Sequence, residues 1–253
     1  MRGLFRLLLF ALLAWPTVLL AAPVVMFDEG HGQPFLARGE RPLDLSALAG
    51  VFAAAGYEVR TSSQPLEPRQ LVDIDVLVSS GAFRPFTPEE VAAVKTFVKR
   101  GGGLAIMLHV APPYAGLLQT LEVDFTNGTL REQNNAIGSN RQNFRVRDLP
   151  GHPLTDGLLD FAVYGAWALR GTAPEVTVVA RTGVHGWVDL NRDGQLSVGD
   201  AVQPFAVAVA GTCGLGRFAV FGDDALFQNR YLEGSNRALA HNLARWLGLS
   251  KGL

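Results

Sequence analysis

Short apolar runs that alternate with helix-like segments are the feature that most constrains how this chain can fold. The run at residues 104–108, L-A-I-M-L, has no polar side chain, which is typical of a strand covered on both faces. Strands that alternate with helices predict an α/β fold with helices on both sides of the sheet. We therefore expect a flavodoxin-like, mainly parallel sheet sandwiched by helices, with a loop-rich insertion at residues 126–205.

Local signals mark the individual elements of this sheet. The clearest helix start is at Thr87, where a capping hydroxyl is followed by Pro88 and by two acids near the positive end of the helix dipole. A glycine run at residues 101–103 ends that helix. Strands are expected at residues 24–27, 57–61, 75–78, 104–108 and 217–221, and further helices from residue 45 and from about residue 235.

Residues 189–200, D-L-N-R-D-G-Q-L-S-V-G-D, have the pattern of a calcium-binding loop. Oxygen-bearing side chains stand at positions 1, 3, 5, 9 and 12 of this pattern, and Gly194 stands at position 6, where such a loop turns sharply. Position 7 contributes a backbone carbonyl, so its side chain is free to vary. The predicted Ca²⁺ ligands are Asp189, Asn191, Asp193, Gln195 and Asp200.

The pattern matches the loop of an EF-hand but not its helices. Strand-like sequence precedes and follows it, and Asp200 stands where an EF-hand usually has Glu. The loop resembles the helix-free calcium loops of dockerin-type extracellular modules, which implies a structural ion of modest affinity. The alternative is a solvated turn, because Asp, Asn and Gly form turns readily.

The amino-terminal residues predict export. Arg2 and Arg6 precede an apolar run at residues 7–20, and Ala21 and Ala22 follow it, as in a secretory signal peptide. Pro16 interrupts the run, so we expect cleavage at about residue 22 and a mature domain at residues 23–253 without a stable membrane span. The expected location is periplasmic or secreted.

Charge argues against a nucleic-acid partner. The chain has 22 basic and 23 acidic residues, and loss of the signal peptide would remove two of the arginines. A slightly acidic surface gives no attraction for phosphate backbones. Cys213 is the single cysteine of the sequence, so no internal disulfide can form.

Five polar residues follow the predicted strands. In open α/β sheets the carboxyl ends of the strands form the edge where ligands bind, so a small ligand or metal is expected there. The alternative is that such residues cap helices and tie loops together. The candidate ligand-binding residues are Asp28, His31, Ser80, His109 and Asp223.

The order of several segments resembles a known family. These are V-V-M-F-D-E-G-H-G-Q, D-V-L-V-S-S-G, F-T-P-E-E-V-A-A-V-K-T-F-V-K-R-G-G-G-L and G-R-F-A-V-F-G-D-D-A-L-F-Q-N-R-Y-L. Together they are similar to the exported, uncharacterised branch of the class I glutamine-amidotransferase-like superfamily, whose relatives include the auxiliary domain of gliding-motility ABC transporters. The resemblance implies a flavodoxin-like sheet and a binding or scaffolding role, with an envelope protein or small ligand as partner.

The residues needed for amidotransferase chemistry are not where the resemblance would require them. His109 stands where the nucleophilic cysteine would follow the fourth strand, and strand sequence follows Cys213. We therefore expect a calcium-binding, non-catalytic module at the cell envelope. The alternative is a zinc-dependent, N-acetylmuramoyl amidase-like envelope hydrolase that uses His31, in D-E-G-H-G, and His109 as ligands.

Overall fold

A computed structural model describes residues 21–191 and 193–248. Residues 1–20, which make up most of the predicted signal peptide, lie outside the described residues. Four α-helices are present in the described ranges: α1 (Ser46–Ala54), α2 (Pro88–Lys99), α3 (Ala115–Thr120) and α4 (Gly234–Gly248). The strands are β1 (Val24–Asp28), β2 (Glu58–Ser62), β3 (Val76–Ser80), β4 (Gly103–Met107), β5 (Val123–Glu132), β6 (Ala136–Ile137), β7 (Asn140–Val146), β8 (Phe161–Tyr164), β9 (Trp167–Gly171), β10 (Val176–Arg181), β11 (Gly186–Val188), β12 (Ala201–Val202), β13 (Ala206–Cys213) and β14 (Gly216–Phe221).

One half of the main sheet is parallel. Its strands lie in the order β14-β4-β3-β1-β2, and each neighbouring pair is parallel. The side chains of β1, β3 and β4 are buried, because helices cover this half on both faces. Leu48 of α1 and Leu243 of α4 pack on one face, while Val94 of α2 and Leu118 of α3 pack on the other.

The other half of the sheet is antiparallel, so the prediction of a flavodoxin-like, mainly parallel sheet is wrong. β13 runs antiparallel to β14, and the sheet continues through β9, β5, β11 and β12. Cys213 pairs with Gly216 at the end of this hairpin, and Gly214 makes the turn with a φ of 62°. The apolar run at residues 205–210 fits a buried strand of either direction, so its sequence does not reveal that the chain reverses.

The expected loop-rich insertion is also largely strand. Residues 126–205 contain part of β5 and all strands from β6 to β12. Four of these strands, β9 to β12, extend the main sheet, whereas β6, β7 and β8 form a separate small sheet. The main sheet therefore has eleven strands, and the predicted calcium loop connects β11 to β12 at its edge.

Two properties of the fold bear on function. None of the helices in the described part of the chain is long and apolar enough to cross a membrane. The carboxyl ends of the parallel strands β1, β3, β4 and β14 lie side by side, and the five predicted ligand-binding residues lie at these ends. We call this region the strand-end rim and define it by Asp28, His31, Ser80, His109 and Asp223.

Candidate functional site

His31 lies buried between two carboxylates on the strand-end rim. Its Nδ1 is 2.9 Å from Asp28 Oδ1, and its Nε2 is 3.0 Å from Glu90 Oε1. The imidazole ring also stacks on Phe86, with ring centroids 3.8 Å apart. Because both ring nitrogens face carboxylate oxygens, the arrangement favours the imidazolium, the form in which both nitrogens donate.

Electrostatics supports the charged form of His31. Burial by itself lowers the pKa of His31, but the hydrogen bond and charge of Asp28, together with those of Glu90, outweigh it and raise the pKa. For Glu90, burial favours the neutral form, but backbone N–H groups of Thr87 and Leu66 and the charge of His31 lower its pKa. Glu90 therefore serves both the amino terminus of α2 and His31.

The remaining atoms of this cluster have protein partners as well. Asp28 Oδ2 accepts hydrogen bonds from Ser79 Oγ at 2.8 Å and from Gln33 Nε2 at 2.7 Å. The hydroxyl of Tyr114 lies 3.2 Å from Ser79 Oγ and accepts the N–H of Ala82. With its donors and acceptors satisfied in this way, the Asp28–His31 pair ties the loop after β1 to the sheet, which is a structural role.

His109 lies in a different environment on the same rim. Its Nδ1 is 3.1 Å from Asp224 Oδ1, and 41 % of its side chain is exposed. The hydrogen bond to Asp224 is the main reason that the pKa of His109 is raised. Phe35 and Phe83 flank the imidazole, each with a ring centroid 5.4 Å away. The Nδ1–H is thus held by Asp224, which leaves Nε2 on the more open side of the ring.

Two buried oxygens of residues at the strand ends have no hydrogen-bond partner among the described residues: Ser80 Oγ and Asp224 Oδ2. Gly81, which follows Ser80, has a φ of 66°. A Cβ at Gly81 would be 2.8 Å from Asp224 Oδ2, so glycine is needed for this close approach. Unsatisfied buried oxygens are uncommon and make this part of the rim polar and incompletely paired.

Asp223, the fifth predicted residue, connects two parts of the fold. Its carboxylate accepts the backbone N–H of Tyr164 at 2.6 Å and that of Ala225 at 3.0 Å. Burial and the neighbouring charge of Asp224 raise the pKa of Asp223 to about 7. The residue missed by sequence reasoning is its neighbour Asp224, which contacts His109. The sequence signal that could have identified Asp224 is that two acids, Asp223 and Asp224, follow a predicted strand.

The two histidines do not form a shared site. His31 contacts Asp28 and Glu90, whereas His109 contacts Asp224. Both ring nitrogens of His31 are engaged by carboxylates of the protein, Nδ1 by Asp28 and Nε2 by Glu90. Within residues 21–191 and 193–248, no group of three or more His, Cys, Asp or Glu side chains converges as a metal site.

The side-chain oxygens of the predicted calcium loop accept hydrogen bonds from the backbone of the same loop. Asp189 Oδ2 accepts the N–H of Gly194 at 2.9 Å, and Gly194 has a φ of 79°. Asn191 Oδ1 accepts the N–H of Asp193, and Asp193 Oδ1 accepts that of Gln195. These contacts turn alternate side chains toward the loop backbone, which is the arrangement of a tight Asx-rich loop.

The end of the loop is tied back to its beginning. Asp200 Oδ1 accepts the N–H of Leu190 at 3.0 Å, and Oδ2 accepts that of Ser197 at 2.8 Å. The backbone hydrogen bond from Ser197 is the main reason that the pKa of Asp200 is lowered. Asp200 is therefore an anion that brings positions 2 and 12 of the loop together.

Asp189 is the buried residue of the loop, with 5 % of its side chain exposed. Its Oδ2 lies 3.1 Å from Arg131 NH2, while Oδ1 is buried without a hydrogen-bond partner among the described residues. A carboxylate oxygen with free lone pairs fits a cation ligand, because burial of an unpaired anionic oxygen is costly. Arg131, from β5, was not anticipated by the sequence pattern.

The chain matches the family model described as a domain of unknown function, DUF4350, over residues 40–244. Among solved structures it is similar to the mmIFT52 N-terminal domain, with a TM-score of 0.71 and 14 % identity, over 89 % of this chain and 97 % of that chain. It is also similar to a ThuA-like protein from Bacteroides uniformis ATCC 8492, with a TM-score of 0.57, 14 % identity and coverage of 92 % and 95 %. No curated protein sequence matches the chain.

These matches correct the expected family. The resemblance to the exported branch of the amidotransferase-like superfamily was wrong, because the matching family is DUF4350 and the main sheet is mixed. At 14 % identity, the likeness to the mmIFT52 domain and the ThuA-like protein concerns the fold alone. The quoted segments reflect strand ends and helix starts that unrelated α/β proteins share.

Proposed function

The chain belongs to the DUF4350 family, a domain of unknown function, and from its own residues we propose that it is a calcium-stabilised binding module of the cell envelope. The observation that carries this proposal is Asp189 Oδ1, a buried carboxylate oxygen without a hydrogen-bond partner among the described residues. It belongs to the first position of a twelve-residue loop whose spacing is that of a calcium site.

The loop supports calcium over zinc and copper, which prefer nitrogen or sulfur ligands, because its candidate ligands are all oxygen atoms, and its twelve-residue spacing is that of a calcium loop. Asp189, Asp193 and Asp200 supply carboxylates, Asn191 supplies an amide oxygen and Gln195 a backbone carbonyl. The carboxylates of the described residues do not converge as a metal site by themselves, so the proposed site depends on the amide and carbonyl oxygens as well. The ion would replace hydrogen bonds within the loop and pin the connection between β11 and β12.

Export is proposed from the amino-terminal sequence, where two arginines, an apolar run and two alanines follow one another. Calcium is abundant outside the cytosol, so an exported location suits a loop of modest affinity. The partner would be an envelope protein or a small ligand.

We propose binding without catalysis for chemical reasons. The imidazolium of His31 donates through both nitrogens, so it can act neither as a base nor as a zinc ligand. Cys213 lies at the end of β13 in a hairpin, far in the fold from the strand-to-helix elbow that activates a thiol.

Calcium binding is tested by thermal unfolding and titration calorimetry. For an affinity of about 10⁻⁴–10⁻³ M, 10 mM Ca²⁺ stabilises the fold by about 1.4–2.7 kcal/mol relative to EDTA. This corresponds to a rise in Tm of about 3–10 °C for a chain of this size. Asp193→Asn keeps the side-chain shape but removes a charged ligand, and we expect it to lose most of the response.

Asp73→Asn is the matched control, because Asp73 is an exposed aspartate outside the loop. We expect it to retain the full response to Ca²⁺. Equal Tm values in 10 mM Ca²⁺ and in EDTA, together with no heat of Ca²⁺ binding, would refute the proposal.

A further inference from the structure

A polar cavity of about 290 Å³ lies between the calcium loop and the strand-end rim. One wall is Asp189, the first residue of the calcium loop, and another is Trp167, the first residue of β9. The indole Nε1 of Trp167 donates to the backbone oxygen of His109 at 3.2 Å, which connects the cavity to the rim. The remaining walls include Thr129, Arg131 and Gln142.

An irregularity in β5 creates the cavity. The pairing of β5 with β9 shifts register between Phe125 and Thr129, so the intervening residues bulge out of the ladder. Gly128 in this bulge lies against the calcium loop, since a Cβ there would be 3.1 Å from the backbone oxygen of Asp189. The bulge thus brings polar side chains of β5 beside the loop.

Arg131 presents unused hydrogen-bond donors at this cavity. Its NH2 is held by Asp189 Oδ2 at 3.1 Å, and its guanidinium lies over the ring of Trp187, 5.4 Å from the centroid. Its Nε is buried without a hydrogen-bond partner among the described residues. A guanidinium fixed on two sides holds its terminal N–H groups in one orientation at the cavity wall, which suits a hydrogen bond to an oxygen atom of a ligand.

The other walls supply an aromatic surface and an amide. The indole of Trp167 is fixed by its bond to His109 and by an edge-to-face contact with Phe125, at 6.3 Å between centroids. The amide of Gln142 donates to Thr129 Oγ1 at 2.8 Å, which sets the orientation of the amide. The walls therefore combine one rigid aromatic ring with several planar polar groups.

This combination defines the chemistry of the ligand. Arg131 is paired with Asp189, and no other lysine or arginine among the described residues lines the cavity, so the cavity has no unpaired cation to hold an anion. A neutral ring with hydroxyl groups places C–H bonds on the indole and exchanges hydrogen bonds with guanidinium and amide groups. The volume is near the lower end of the range for small-molecule sites, about 300–1,000 Å³, which suits a single ring.

We propose that this cavity binds one monosaccharide unit, and that calcium strengthens the binding. The proposal deepens the proposed function and rests on it, because Asp189 both begins the calcium loop and holds Arg131. An ion on Asp189 Oδ1 fixes this carboxylate, and the fixed carboxylate orients the guanidinium toward the cavity.

The test is titration of the purified protein with glucose, galactose, mannose and N-acetylglucosamine at up to 50 mM, monitored by tryptophan fluorescence and by amide chemical shifts. We expect at least one sugar to saturate the protein in 10 mM Ca²⁺ and to bind at least threefold more weakly in EDTA. Arg131→Met and Gln142→Met should each weaken binding at least tenfold. Gln119→Met, on the exposed side of α3, is the matched control and should bind normally.

The outcomes separate the two proposals. Absence of saturation by all four sugars, with a normal rise of Tm in Ca²⁺, would overturn the sugar site and leave the calcium proposal intact. Sugar binding that Arg131→Met and Gln142→Met do not change would also overturn it, as would saturation by succinate in place of the sugars. Sugar binding that is equal in Ca²⁺ and EDTA, without any Tm response, would support the cavity and refute the role of calcium.

Discussion

At the scale of single residues, the rim contains contacts that sequence reasoning could foresee only in part. Asp28 and His31 were expected at the end of a strand, and Glu90 was expected at the start of a helix. Their meeting could not be foreseen, because His31 and Glu90 are 59 residues apart. Similarly, Asp223 was expected on the rim, but its neighbour Asp224 points to His109. Local patterns identify strand ends, whereas the choice between adjacent side chains depends on packing.

The imidazolium of His31 leads to a prediction about stability. Replacing His31 by Leu leaves the carboxylates of Asp28 and Glu90 buried without their cation, which should cost about 3–5 kcal/mol of unfolding free energy. His241→Leu is the control, because His241 is exposed on α4, and we expect less than about 0.5 kcal/mol. Urea denaturation measures both. A cost below 1 kcal/mol for His31→Leu would contradict the ion-pair interpretation.

At the scale of elements, the strands and helices of the parallel half could be predicted, but the direction of β13 could not. The start of α2 is as expected, with Thr87 and Glu90 forming a reciprocal capping box. β13 is apolar along most of its length, and such a run fits parallel and antiparallel neighbours equally. The reversal depends on the hairpin at Gly214, and the continuation of the sheet depends on strands brought together over long sequence separations.

The junction between β14 and β9 provides a test at this scale. The backbone N–H of Trp167 donates to the backbone oxygen of Gly222 at 2.7 Å, and a Cβ on Gly222 would be 2.0 Å from the backbone oxygen of Trp167. Gly222→Ala should therefore force the two strands apart and destabilise the fold by about 1–3 kcal/mol. Thermal or urea unfolding measures the change.

Gly50→Ala is the matched control for this substitution. Gly50 is an exposed residue inside α1, and a Cβ there would meet no atom within 4 Å. We expect Gly50→Ala to stabilise the protein by about 0.5–1 kcal/mol. If Gly222→Ala left stability unchanged or raised it, the close contact at Gly222 would be refuted.

At the scale of the whole molecule, several buried groups make stability depend on pH. Burial and Asp224 raise the pKa of Asp223 from 3.8 to about 7, so the folded protein retains a proton that the unfolded chain has released. Stability is therefore lost as pH rises through this interval. The raised pKa values of His31 and His109 act in the same direction, since their stabilisation is complete below 6.5 and is lost as each folded-state pKa is passed.

Lowered carboxylate pKa values limit stability on the acidic side. Hydrogen bonds from Arg41 lower the pKa of Asp44 to about 2, and the pKa of Glu90 is lowered as well. Stabilisation from these groups is present above the pKa of the unfolded chain, about 4, and is lost as pH falls. We expect the highest Tm at about pH 4–5, a decline as pH rises to about 7 from Asp223, and a further decline above 6.5 from the two histidines.

Asp223→Asn identifies the group responsible for the decline between pH 4 and pH 7. The amide cannot ionise, so the fall in Tm between pH 5 and pH 7 should be shallower than in the unmodified protein. The variant should also be less stable at pH 5, because an amide has one oxygen to accept the two N–H groups of Tyr164 and Ala225. Asp73→Asn should leave the pH profile unchanged. A Tm that is constant or rises between pH 6 and pH 9 would contradict this account.

The hairpin of β13 and β14 joins the parallel and antiparallel halves through a continuous ladder that runs from the Ala208–Phe221 pair to the Cys213–Gly216 pair. Bending one half of the sheet against the other would break these backbone hydrogen bonds, so closure of the two halves around a ligand would cost much free energy. A ligand of the proposed cavity would therefore bind between walls that are already in place. Selectivity would then depend on how well the shape of the ligand fits the preformed cavity. The protein would lose little conformational entropy on binding, and the ligand would associate and dissociate rapidly.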